Sequence, residues 1–150
     1  MKRALIALAI STATLAGCSR LAYRSRIDEF RNESVSPARF TAIAVLPLDP
    51  SGFDPGIAAR VRDNLKKEGV NIVSARVMVG DSEASMQQLC PKNDPAEYQG
   101  VLWVTYDRVI LRDCESTAVA YRAIGGYSGV DALAKRLLSY LRSALPTSAQ

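Results

Sequence analysis

Three cysteines are the residues of this chain best suited to covalent chemistry, and no histidine accompanies them. Without an imidazole neither a Ser-His nor a Cys-His pair can form, and the commonest general base is missing. A Ser-Lys dyad requires a lysine drawn out of solvent, whereas Lys66, Lys67 and Lys135 fall on the polar sides of amphipathic stretches. Asp49 and Asp54 flank the step from an apolar run to a helix-like segment, which is where open α/β sheets place ligands. Asp49 opposes an anion there, and Asp54 is placed to cap the helix. Gly125-Gly126-Tyr127-Ser128-Gly129 precedes a second helix-like segment but lacks the lysine and spacing of a phosphate loop, so it reads as a turn. A thiol pair without histidine also lacks the usual zinc ligands. No metal, no cofactor and no enzymatic activity are expected; the alternative is a histidine-independent enzyme using a carboxylate or hydroxyl.

Cys18 stands apart from the other two. It ends the run Leu15-Ala16-Gly17-Cys18, behind Lys2, Arg3 and a 12-residue apolar stretch from Ala4 to Leu15. That order of basic end, short apolar core and small residues is a secretory signal, too short to span a bilayer. The four residues resemble a lipobox, where bacterial lipoprotein processing diacylates the cysteine and cuts before it. Residues 1–17 are therefore expected to be a signal peptide and Cys18 the lipid-bearing first mature residue. At roughly 0.8 kcal/mol per buried methylene, one acyl chain holds marginally and two or three hold stably, so the membrane is an expected partner. Ser19 after the cysteine resembles lipoproteins sorted to the outer membrane rather than those retained at the inner one by an aspartate.

Removing the signal leaves 17 basic against 15 acidic residues. No patch of Lys and Arg with interleaved aromatics is visible, so nucleic acid is not an expected partner. Cys90 and Cys114 form an even pair in an oxidising compartment and read as a disulfide. Closing a loop of about 25 residues would stabilise the fold by roughly 3 kcal/mol.

Residues 18–39 scatter Leu21, Tyr23, Ile27, Phe30 and Val35 among arginines and acids, and read as a lipid-anchored tether with room for a short docked helix. Phe40 to Leu48 is a buried strand, followed by a helix capped at Asp54, striped by Ile57, Val61 and Leu65 and ended at Gly69. Asn71 to Val79 returns as a second strand, making a right-handed βαβ unit. A short helix from Asp81 or Ser82 runs to Cys90 and is stopped by Pro91. Val101 to Tyr106 with Val109 to Leu111 gives the strongest strand signal; Arg112-Asp113 turns the chain and Ser116 to Ile124 pairs back as a hairpin. Ser128 caps the last helix, striped by Val130, Leu133, Ala134, Leu137, Leu138 and Leu141. The expectation is one α+β domain over residues 40–145, with a small mixed sheet of about four strands in β-α-β-α-β-β-α order and helices packed on it. Residues 146–150 read as a disordered tail.

The hairpin carries the residues that most often anchor interfaces. Trp103, Tyr106 and Tyr121, with Arg108, Arg112 and Asp113, form the candidate partner surface. The competing reading places the aromatics in the core and the charges on a solvated face or at an edge guarded against aggregation.

The stretch Ile43-Ala44-Val45-Leu46-Pro47-Leu48, the amphipathic helix, Gly69-Val70-Asn71-Ile72-Val73, the hairpin and the closing helix together resemble a group of envelope domains. The group is related to the amino-terminal domain of TolB, and CsgG-like secretion lipoproteins and lipoprotein activators of penicillin-binding proteins look similar. The resemblance covers about Phe40 to Leu145. It implies a non-catalytic binding or assembly accessory of a periplasmic or outer-membrane complex with an envelope protein as partner, the alternative being a structural spacer between membrane and wall or machinery.

Overall fold

Ile43-Ala44-Val45-Leu46 is apolar at every position, the pattern of a strand covered on both faces, and it forms the middle of a parallel trio. The computed structural model describes residues 26–47, 56–75, 82–90, 97–125 and 129–143. Within them the strands β1 (Asp28–Arg31), β2 (Ile43–Pro47), β3 (Ile72–Val73), β4 (Gly100–Val104), β5 (Arg108–Asp113) and β6 (Val119–Ile124) make one sheet, ordered β1-β6-β5-β4-β2-β3. Three helices accompany it, α1 (Gly56–Lys67), α2 (Ser82–Leu89) and α3 (Gly129–Arg142), with a 3-10 turn at Pro37–Arg39.

β2 pairs in parallel with β3 on one side and with β4 on the other. Right-handed crossovers that leave in opposite directions place their helices on opposite faces. Accordingly Val61 and Leu65 of α1 enter the core on one face, while Met86 and Leu89 of α2 enter the core on the other. Period-two alternation sorts the strands between the two cores: Ile43, Leu102, Val104, Val109 and Leu111 meet α1 and α3, and Ala44, Leu46, Val101 and Trp103 meet α2. On the α3 side Tyr140 stacks on Tyr121, with ring centroids 4.8 Å apart and planes at 27°. A register shift at Leu111/Arg112 lets Ala120 and Tyr121, neighbours in sequence, enter the same core.

α1 ends as its sequence requires. Gly69 adopts φ +84°, and the N–H groups of Gly69 and Val70 donate to the carbonyls of Lys66 and Leu65, both at 3.0 Å.

The α+β class and the parallel βαβ unit are present, but the sheet has six strands rather than about four. Two differences account for it. Asp28–Arg31 is no spacer: it pairs antiparallel with β6, and Asn32 continues the contact through its N–H to the Ala120 carbonyl at 2.9 Å. Val35 and Phe40 are buried beyond it, so the segment 26–39 belongs to the folded unit. The expected single strand from Val101 to Leu111 is broken by a turn at Thr105–Asp107, which makes β4 and β5 an antiparallel pair and the region a three-stranded meander. β3 is shorter than the expected Asn71–Val79, and residues 76–79 lie outside the described residues. So do the signal and Cys18, the cap at Asp54, Asp49, most of the Gly125–Gly129 turn and the tail. Among the described residues no helix is long and apolar enough to cross a membrane.

Candidate functional site

The six residues chosen on the hairpin separate into two sets once strand alternation acts on them. Val109 and Leu111 point into the α1/α3 core, so Arg108, Ile110 and Arg112 point to the other face. Trp103 is on that second face too, but α2 covers it there and leaves it 4% exposed. Tyr121 is fully buried against Tyr140. Trp103 and Tyr121 are therefore core residues and not part of an accessible partner surface in this chain.

Asp113 departs furthest from its expected place. It does not turn the chain at an exposed tip; it is the last residue of β5, and its carboxylate has no solvent exposure. Its Oδ2 accepts from the Ser116 backbone N–H at 2.8 Å and from the Ser116 hydroxyl at 2.6 Å, closing the β5–β6 turn. Its Oδ1 lies 3.1 Å from Arg39 Nε. Arg39 also pairs with Glu115, and that hydrogen bond, against the opposing effect of burial, holds the guanidinium above its ordinary pKa with help from the Asp113 charge. Arg39 falls in the charged segment 18–39 that reads as a tether, which hides its role in the sequence. The signal available was its place two residues after a proline, directly ahead of the apolar run.

The disulfide joins Cys90, just after α2, to Cys114, just after β5, with the Cα atoms 5.2 Å apart. It pins α2 to the sheet face that the helix covers. Gln99 works beside it: its backbone carbonyl accepts from Cys114 N–H at 2.9 Å, while its side-chain oxygen accepts from Ala42 N–H at 2.9 Å and Thr41 Oγ1 at 2.6 Å.

Of the remaining candidates Tyr106 is exposed, while Arg108 and Arg112 are half-buried. Tyr106 occupies the β4–β5 turn and is 65% exposed. Beside it the Asp107 carboxylate accepts from Thr105 Oγ1 at 2.7 Å and from Arg108 Nε at 3.2 Å. Burial pushes the Asp107 pKa up, but the hydrogen bonds from Arg108 and Thr105 outweigh it and hold the carboxyl below its usual range. Thus Asp107 shapes a turn.

Across β1, β6 and β5 the register sets Phe30 opposite Arg122 and Arg122 opposite Ile110, and Asp28 opposite Ile124 and Ile124 opposite Arg108. These residues share the face on which α2 lies, on the half of the sheet remote from β2 and β3. Phe30 is 43% exposed there, with the Arg122 guanidinium 5.6 Å from its ring centre. The result is an arginine-rich, partly apolar sheet surface. Among the described residues no three His, Cys, Asp or Glu side chains gather as a metal site would require.

No family model matches the chain, and no curated protein matches it. Among solved structures it is similar to a dodecamer of a PelC variant from Paraburkholderia phytofirmans, with 14% identity and a TM-score of 0.41, over 81% of this chain and 95% of that one. A second PelC dodecamer from the same organism is similar at 12% identity and a TM-score of 0.40, over 81% of this chain and 94% of that one.

Proposed function

We propose that this chain is a lipid-anchored lipoprotein on the periplasmic face of the outer membrane, acting as a non-catalytic binding or assembly accessory of an envelope complex. The observation that carries the reading is the Cys90–Cys114 disulfide. Such bridges persist in oxidising compartments, and this one occurs in a chain whose start carries an export-type stretch and a lipobox at Cys18. Two separate features of the sequence thus favour export. Binding is favoured over catalysis by what the buried polar groups do. Asp113 holds Ser116 and Arg39, the Tyr98 hydroxyl donates to the Leu89 carbonyl at 2.9 Å, and the Tyr140 hydroxyl donates to the Val35 carbonyl at 3.3 Å. Each supports the fold. The resemblance to the TolB amino-terminal and CsgG-like group, and an envelope protein as partner, belong to the same proposal.

Radiolabelled palmitate fed to cells expressing the full chain tests the anchor. Label in the wild type and its loss in Cys18→Ser, with an unprocessed or soluble species remaining, is the expected result. Crosslinking in cells followed by recovery of the lipidated protein tests the accessory role, where one stoichiometric envelope partner is expected. Equal palmitate incorporation in Cys18→Ser overturns the anchor, and loss of function in Asp49→Asn with no partner recovered favours the enzyme.

A further inference from the structure

The face of the sheet that α2 leaves bare lies where the chain comes in from Cys18. Eight peptide steps separate Cys18 from Arg26, the first described residue. Eight steps reach at most about 29 Å when fully extended. A tether counted to Arg39 would allow more than twice that reach, but β1 takes up Asp28–Arg31, so the folded unit starts close to the lipid.

The register says which part of the unit is near. Asp28 lies opposite Ile124, and Ile124 lies opposite Arg108, so the chain enters at the end of the sheet that carries the β4–β5 turn. That corner holds both large apolar side chains that are exposed among the described residues, Phe30 and Tyr106. A tyrosine ring settles at the level of lipid headgroups, with its hydroxyl wet, and a phenylalanine ring enters the headgroup/acyl boundary. Arg108, Arg112 and Arg122 share the face with Phe30, Ile110 and Ile124. The acids at that corner are Asp28 on the same face and Asp107, which is paired with Arg108. The balance is basic, and basic side chains near a bilayer are drawn to anionic headgroups.

We infer that the β1-β6 edge of this sheet face, with Arg108 and Tyr106 at its corner, lies on the anionic headgroups of the membrane that holds the Cys18 acyl chains. The inference rests on the proposed anchor, and it gives the short leash a consequence: the unit is held by its sheet face, and α1, α3 and the Cys114–Ala118 turn at the far end of β5 are turned toward other molecules.

The test uses the full-length lipidated protein in vesicles of phosphatidylethanolamine and phosphatidylglycerol that contain a diazirine-bearing phosphatidylglycerol, with photo-adducts mapped by peptide mass spectrometry. Adducts are expected on residues 26–31, 104–110 and 120–125 and not on 114–118 or the exposed side of α3. Phe30→Glu with Tyr106→Glu should lower adducts on those peptides by about threefold or more at an unchanged melting temperature. Arg122→Glu is a second variant that leaves both rings in place and should lower them in phosphatidylglycerol vesicles but not in vesicles where phosphatidylcholine and a diazirine-bearing phosphatidylcholine replace the anionic lipid and its probe. Palmitoylated protein with adducts spread evenly, confined to α3, or replaced by protein-to-protein crosslinks through Phe30 overturns the inference and leaves the anchor standing. Protein that takes no palmitate but still gives adducts on this face retains the docking face and discards the anchor.

Discussion

Arg39 Nε lies 3.1 Å from Oδ1 of Asp113, joining the 3-10 turn ahead of β2 to the end of β5, 74 residues further along the chain. The Asp113 side chain is wholly buried and that of Arg39 is 36% exposed. The pair is therefore screened from one side only, and most of the cost of breaking it falls on the carboxylate.

Asp113→Ala removes two hydrogen bonds to Ser116 as well as the ion pair. We expect it to cost about 3 kcal/mol, measured by urea denaturation. Arg39→Ala should cost less, and the double variant should cost little more than Asp113→Ala alone, because the two side chains act as one unit. Charge reversal at Arg112 with Asp113→Lys is for the same reason a folding lesion and not a test of a partner surface. Additive losses in the double variant would show that the two residues act separately.

Gly100 opens β4 where a side chain has no room. A Cβ built there meets Phe40 Cδ1 at 2.7 Å, Phe40 Cε1 at 2.8 Å and Leu111 Cδ1 at 3.0 Å. Gly100→Ala should therefore destabilise the fold by about 1–3 kcal/mol through overpacking. Combined with Phe40→Leu, the loss in urea denaturation should be smaller than the sum of the two single losses. A neutral Gly100→Ala would show that the Phe40 ring yields without cost.

The local signals reported the elements that bury a stripe and missed those held by the rest of the chain. Ile57, Val61 and Leu65, or Leu133 and Leu137, mark their helices because period 3.6 is written into the apolar residues themselves. β1 has no such pattern. Asp-Glu-Phe-Arg is an edge strand rich in charge, and what makes it a strand is the ladder offered by β6. The turn between β4 and β5 was hidden because Thr105-Tyr106-Asp107 contains neither glycine nor proline; the Asp107 carboxylate shapes it by accepting from Thr105 and Arg108. At the candidate surface, alternation could place Arg108 and Arg112 on one face. It could not show that α2 shields Trp103 and leaves Phe30 uncovered, since that depends on which strands the helix crosses.

Cys90 and Cys114, 24 residues apart, close a loop that links α2 to the sheet. Cys90→Ala, Cys114→Ala and the double variant should lose similar stability, roughly 2–4 kcal/mol, since each breaks the same bridge. Mass spectrometry of protein taken from cells without reductant should show the chain two hydrogen atoms lighter than its reduced form. Two free thiols in that material would remove the bridge and the argument for export built on it.

We expect Tyr121 to make the fold sensitive to alkali. Its ring is fully buried against Tyr140, and its hydroxyl has no hydrogen-bond partner of good geometry among the described residues. Burial, with the nearby Glu29 carboxylate adding to it, raises the phenol well above its ordinary pKa of 10.0. Between the unfolded and folded values the unfolded chain loses the proton while the folded chain keeps it, so unfolding releases a proton and stability falls as pH rises. The contribution is complete below about pH 10 and declines above it. Tyr121→Phe removes the ionising group and keeps the ring. At pH 7 it should change stability by less than about 1 kcal/mol, because no good hydrogen bond is lost. Above pH 10 the variant should hold its melting temperature better than the wild type does, and parallel decline of the two would place the alkaline sensitivity in another group.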